Sequence, residues 1–126
     1  KIRETIGTVT EEPGVFFRIP GGEYNNEVLR TIYACGSYPV AWSVDSMDWK
    51  EYEAGELVRQ LLQSCTIRDG EILRFHGEGE NTGEMVKLLH PRLKEEGYEA
   101  VTVSQMVYKD RYRMTTDGRQ IPEKSK

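Results

Sequence analysis

Three short stretches hold the side chains best suited to moving protons. Ser43-Val44-Asp45-Ser46-Met47-Asp48-Trp49 places two carboxylates three positions apart beside an indole, Phe75-His76 ends an apolar run on an imidazole, and Phe17-Arg18 ends another on a guanidinium. An imidazole changes charge near neutral pH, a carboxylate orients it and favours its charged form, and a guanidinium pairs with carboxylates. Each residue alone also has a plain structural use. His76 suits a hydrogen-bonded histidine at a strand end, Arg18 a surface charge, Asp48 a loop or helix cap, and Trp42 and Trp49 half-buried anchors.

The elements that must position these groups follow from the hydrophobic period. Val15-Phe16-Phe17 reads as a short strand, and Tyr24 to Cys35 as a helix with Val28, Leu29, Ile32 and Tyr33 on one face, Asn25 or Asn26 as its cap and Gly36 at its end. A second cycle runs from a strand at Tyr38–Val44 through a loop to a helix at Ala54–Cys65, with Leu57, Val58, Leu61 and Leu62 inward. A third runs from the Asp69-Gly70 turn through a strand at Glu71–His76 to a helix at Thr82–Glu96 with Met85, Val86, Leu89 and Leu93 inward. Gly97 and a last strand at Glu99–Val103 follow. Strands alternating with helices of this length predict an α/β fold of repeated βα units. In such folds functional groups gather at the carboxyl ends of strands, where Arg18, Asp45, Asp48, Trp49 and His76 all fall.

Composition narrows the function classes. The chain has 126 residues, 37% hydrophobic and 30% charged, with a formal net charge of −4, and a mean hydropathy of −0.63. No run approaches the ~18 apolar residues of a membrane span, and the acidic balance excludes a general nucleic-acid binder, which needs a basic stripe. Cys35 and Cys65 each close an apolar helical pattern and are expected to be core thiols. His90, the other histidine, precedes Pro91 within a helical pattern and has no partner at metal-ligand spacing. From Lys109 on the period stops, and six basic residues against three acidic ones predict a polar basic tail over 108–126, frayed and solvated. Ile2, Ile6 and Val9 read as the last turns of a helix begun before Lys1, broken at Glu12-Pro13-Gly14. The expectation is therefore a piece of something longer.

Three stretches, in order, resemble the motifs of the polysaccharide deacetylases, the group with the nodulation-protein-B homology domain also called carbohydrate esterase family four. Phe17-Arg18-Ile19-Pro20-Gly21-Gly22 is similar to the third motif, usually Arg-Pro-Pro-Tyr-Gly or Arg-Pro-Pro-Phe-Gly. Trp42 through Trp49 is similar to the fourth, and Ile72-Leu73-Arg74-Phe75-His76 to the fifth. Leu93-Lys94 through Gly97-Tyr98 to Ser104 reads like the end of that domain. The resemblance covers 1–107, and implies the C-terminal part of a distorted (β/α) barrel.

The resemblance implies metal-dependent hydrolysis of N-acetyl groups on a polysaccharide such as peptidoglycan or a chitin-like polymer, outside the cell or in its envelope. By the same resemblance, His76 is the general acid, Asp48 the carboxylate that orients it, and Arg18 the partner of the catalytic base. The Gly21 N–H faces the oxyanion, Trp49 forms part of the wall around the acetyl methyl, and Asp45 supports the network. The family's first motif, an Asp pair, and its second, a His-x-x-x-His pair, are not in this sequence. The divalent metal that the resemblance implies, zinc first, therefore has no ligand set in this chain, which carries the acid side of the site and is expected to be inactive alone. Arg74 stands where the acetyl pocket's leucine belongs, and would spoil an apolar pocket unless turned to solvent. The rival readings are a non-catalytic carbohydrate-binding module and a self-assembling piece that pairs its open sheet edge with another copy; the partners the resemblance implies are the polysaccharide and the missing N-terminal half or another copy.

Overall fold

A computed structural model of the chain describes residues 15–124. The expected helix end at Ile2–Val9 and its break at Glu12–Gly14 lie outside the described residues. The described residues fall into two compact units, one of 15–45 with 71–74 and one of 46–70 with 75–124.

In the first unit, β1 (Phe16–Arg18) and β2 (Tyr38–Val40) pair in parallel, Phe16 opposite Tyr38 and Arg18 opposite Val40. The helix between them, α1 (Asn26–Ala34), is what a parallel connection requires. It starts where expected, because the Asn25 side chain accepts the Val28 N–H at 2.9 Å. It stops because Gly36 turns at φ 72 while the N–H groups of Gly36 and Ser37 reach back to the carbonyls of Tyr33 and Ile32. Ile32 is buried beneath it, whereas Val28 and Tyr33, expected on the same inward face, are 36% and 48% exposed. Tyr33 instead meets the edge of Tyr38 at 6.1 Å. Cys35 is exposed and Cys65 only part-buried, so neither is the core thiol expected from the pattern.

The strand expected over Tyr38–Val44 is two strands. After β2 the chain leaves its partner, and β3 (Val44–Asp45) pairs in parallel with β4 (Leu73–Arg74). Ser43 makes the change possible, its N–H donating to the Ile72 carbonyl and its hydroxyl accepting the Ile72 N–H, both at 3.0 Å. β4 is shorter than the Glu71–His76 expected.

The second unit rests on α2 (Ala54–Ser64) packed against α3 (Thr82–Glu95). Ala54, Leu57, Val58 and Leu61 of α2, Ile67 beyond it, and Met85 and Leu89 of α3 are buried. Each large apolar side chain fully buried in this way stabilises the unit by about 1.5–3 kcal/mol. Val86, expected inward, is 44% exposed. Gly97, at φ 90, ends α3 with a back-bonded turn, and the Tyr98 hydroxyl then donates to the Ile67 carbonyl at 2.8 Å.

The last strand expected, Glu99–Val103, does not form. Thr102 and Gln105 make a reciprocal capping box, which starts a short helix, α4 (Val103–Met106), where the apolar alternation suggested a strand. Past Lys109 the aperiodic sequence also has structure: β5 (Tyr112–Met114) and β6 (Gln120–Pro122) form an antiparallel hairpin, Arg113 opposite Ile121. The Gln120 side chain bonds both the N–H and the carbonyl of Tyr108, at 2.9 and 3.0 Å. The structure thus alternates helices with parallel strand pairs and closes on a hairpin, with no closed sheet among the described residues.

Candidate active site

Asp48 lies in the loop between β3 and α2, three residues past the strand end, and its side chain is 0% exposed. A buried carboxylate must be paired or well hydrogen-bonded. Asp48 is both. His76, two residues past β4, gives it two donors: the ring Nδ1 stands 2.7 Å from Oδ1, and the backbone N–H lies 3.1 Å from Oδ1 and 2.9 Å from Oδ2. β4 ends early for this reason, since the N–H that would extend a ladder is spent on Asp48. The Thr82 hydroxyl adds a bond to Oδ2 at 2.5 Å. The Asp48 N–H itself donates to the Ser46 hydroxyl at 3.3 Å.

These bonds fix the state of the pair. Burial pushes the Asp48 carboxyl up, but hydrogen bonds from Thr82, from the ring and backbone of His76 and from Ser46 outweigh it, leaving the carboxyl below its ordinary value. An ionised carboxylate only accepts, so the ring nitrogen facing it carries the proton. The His76 side chain is 27% exposed. Buried carboxylate behind and solvent-reachable imidazole in front is an arrangement able to relay a proton.

Trp49 follows Asp48 in this unit, 58% exposed, with Lys50 Nζ 5.9 Å from its ring. Arg18, Gly21 and Asp45 belong to the other unit. Arg18 is exposed at the end of β1, and Gly21, at φ 71, is exposed in the turn that follows. Asp45 sits opposite Arg74 across β3 and β4, with 3.6 Å between Oδ2 and Nε. Arg74 also lies over Trp42, 4.0 Å from guanidinium carbon to ring centre, and is only 20% exposed. Its side chain therefore does not turn out to solvent, the arrangement an apolar pocket would have needed.

Sequence reasoning missed Thr82, Ser46 and Gly79. Thr82 reads as the first residue of a helix, and nothing in the pattern says that its hydroxyl turns to a carboxylate 34 residues earlier. Among the described residues no three His, Cys, Asp or Glu side chains converge in a way that could hold a metal ion, and the Asp48 oxygens are occupied by His76 and Thr82. The residues described do not fit a metal. No helix among them is long and apolar enough to cross a membrane.

Alternating strands and helices that bring a buried carboxylate behind an imidazole at two loop starts define an α/β protein with a hydrogen-bonded carboxylate–imidazole pair. No protein-family model matches the chain. It is 32% identical over 109 residues to a peptidoglycan-N-acetylglucosamine deacetylase of Listeria monocytogenes, covering 84% of this chain and 22% of that protein. It is 32% identical over 102 residues to the Bacillus cereus peptidoglycan-N-acetylglucosamine deacetylase, covering 77% of this chain and 46% of that one. Among solved structures, a carbohydrate esterase family four pseudoenzyme from Bacillus anthracis superposes with a TM-score of 0.74 at 25% identity, over 82% of this chain and 36% of that one. A peptidoglycan N-acetylglucosamine deacetylase solved with a benzamide compound superposes at 0.73 and 25% identity, over 82% of this chain and 50% of that one. These likenesses identify the chain as the C-terminal part of a polysaccharide deacetylase domain of carbohydrate esterase family four. It spans between about a fifth and a half of the curated relatives named here, 22% and 46%.

Proposed function

We propose that the chain carries the acid side of an enzyme that hydrolyses N-acetyl amides on a polysaccharide such as peptidoglycan or a chitin-like polymer. The observation that carries this reading is the buried Asp48 carboxylate bonded at 2.7 Å to His76 Nδ1. Ionised Asp48 fixes the ring tautomer. With Nδ1 held, His76 passes its proton through Nε2 to the amine nitrogen as the amide C–N bond breaks. A positioned acid of this kind contributes about 10²- to 10⁴-fold in rate.

In this reading Arg18 holds the carboxylate that acts as base, the Gly21 N–H donates to the oxyanion, and Trp49 walls the acetyl methyl. Asp45 supports the network. The divalent metal, zinc first, polarises the acetamide carbonyl in the family chemistry. The family's ligands come from an Asp pair and a His-x-x-x-His pair that this sequence does not contain. The parallel strand pairs become part of a distorted barrel, with 1–107 the deacetylase portion and 108–126 a basic extension. An N-terminal half that carries those motifs, or another copy, is the expected partner, and the cell envelope the expected place of work, as the names of the peptidoglycan-acting relatives suggest.

The test is a fusion of the chain behind the N-terminal half of the Bacillus cereus relative, assayed for acetate release from an N-acetylglucosamine oligomer. Turnover is expected from the fusion and not from the 126-residue chain alone, and His76→Ala should lower it by about 10²- to 10⁴-fold. Acetate release by the unaided chain would refute the assignment of a half-site. A non-catalytic carbohydrate-binding module is the second reading, supported by the likeness to the Bacillus anthracis pseudoenzyme and by Arg74 in the position of the pocket leucine. A folded fusion that releases no acetate, together with oligosaccharide binding by the chain in chelator, would favour it.

A further inference from the structure

We infer that Thr82 is a positioning residue of the proposed site: its single hydroxyl proton holds Asp48 in the rotation that sets Oδ1 against His76 Nδ1. The inference deepens the deacetylase reading and rests on it for the meaning of the pair, though not for the geometry.

Counting donors decides where the Thr82 proton goes. The hydroxyl lies 2.5 Å from Asp48 Oδ2 and 2.9 Å from the His76 carbonyl oxygen. A hydroxyl has one proton to donate and both neighbours are acceptors. The His76 carbonyl is already served, since the Gly79 N–H reaches it at 3.1 Å. A bond to an ionised carboxylate is roughly twice as strong as one to a neutral acceptor. The proton therefore belongs to Asp48.

The simpler account of a threonine at a helix start is capping, and it does not apply. The cap position of α3 is Asn81, no side chain bonds the helix start from there, and the Asn81 amide instead donates to the Tyr52 carbonyl at 2.7 Å. The Thr82 hydroxyl turns away from its own helix to Asp48.

What the proton does follows from the torsion it restrains. The terminal torsion of an aspartate is broad and two-fold, so a carboxylate keeps one rotation only if both oxygens are tied. Oδ1 is tied by the imidazole. Oδ2 has Thr82 and the His76 N–H, which it shares with Oδ1, and the Ser46 side chain adds a hydrogen bond to the carboxylate. Without the hydroxyl, Oδ2 loses the shorter of its bonds to Thr82 and the His76 N–H, and the carboxylate is held less firmly in the rotation that faces the ring. Gly79 keeps the space for this contact: a Cβ there would come within 2.8 Å of the Thr82 hydroxyl oxygen and 3.0 Å of the Asp48 carbonyl oxygen.

Thr82→Val keeps the shape and branching of the side chain and removes the proton, whereas Thr82→Ser keeps the proton and removes the methyl. The readout is the His76 ring in nitrogen-15 and proton NMR of the substrate-free 126-residue chain. Wild type and T82S should show one Nδ1-protonated tautomer with a slowly exchanging Nδ1–H signal, and T82V should lose that signal and populate both tautomers. A T82V chain with a folded amide spectrum and an unchanged Nδ1–H signal would overturn the inference. Should T82V not fold, T82S carries the test: a retained signal supports the role of the hydroxyl, and loss of the signal in a folded T82S assigns the effect to the methyl and overturns it. Because no substrate is present, failure here leaves the deacetylase reading standing, and failure of the fusion to release acetate leaves this result standing.

Discussion

Asp48 holds His76 by two different handles, the backbone N–H at 2.9 Å and the ring Nδ1 at 2.7 Å. The first fixes where β4 lets go of the chain, and the second fixes how the ring is turned. One buried carboxylate thus couples a feature of the fold to a feature of the chemistry. The coupling explains why a histidine can sit on a loop and still be oriented.

Replacing that carboxylate by its amide tests the second handle. Asp48→Asn offers one acceptor instead of two and places an N–H₂ among the donors from His76 and Thr82. Acetate release by the fusion should fall by about 10²- to 10⁴-fold, and the chain should lose about 1–3 kcal/mol of stability from donors left unsatisfied in a buried position. A variant with unchanged turnover would remove Asp48 from the mechanism.

The same carboxylate predicts how stability depends on pH. Its folded value lies below the reference of 3.8, so between the two the folded chain binds fewer protons than the unfolded one, and stability rises with pH. The contribution is fully present above the reference and is lost as pH falls through the lowered value. The urea midpoint of wild type should therefore drop from about pH 5 to about pH 2.5 more steeply than that of Asp48→Asn. Equal slopes would count against a depressed Asp48.

Much of this was legible in the sequence, and the places where it was not share a cause. Helix bodies came through because α2 buries Leu57, Val58 and Leu61 at helical spacing, and the ends of α1 came through because Asn25 and Gly36 act locally. The Asp48–His76 pairing was implied by the family resemblance, and the structure has the two hydrogen-bonded. The break between β2 and β3 was not readable, because it depends on Ser43 finding Ile72, 29 residues on. Thr82 and the Arg74–Trp42 stack were missed for the same reason: each is a contact between segments, and periodicity reports only which face of one segment is apolar. The Thr102–Gln105 box is the exception, a local signal that was present and outweighed by alternation around it.

Met85 is 0% exposed and Leu57 2% exposed, in the pair of helices that holds Thr82 in place. Truncating either to alanine should cost about 2–5 kcal/mol in urea unfolding. Leu62, on the flank of α2 and only part-buried, should cost less. Equal costs at Leu57 and Leu62 would contradict the packing of α2 on α3.

Gly21 and Gly22 allow one contact in the first unit to be weighed by difference. Both have positive φ, 71 and 77, so alanine at either carries the left-handed backbone cost of roughly 1–2 kcal/mol. A Cβ at Gly21 has nothing within 4 Å, whereas one at Gly22 would come within 2.6 Å of the Trp42 ring, the ring on which Arg74 lies. Gly22→Ala should therefore be less stable than Gly21→Ala by a further ~1–3 kcal/mol of overpacking, and should shift the tryptophan emission that Gly21→Ala leaves alone. Identical losses and unchanged emission in both variants would mean that Trp42 is not seated against Gly22, and the Arg74–Trp42–Asp45 arrangement would have to be redrawn with it.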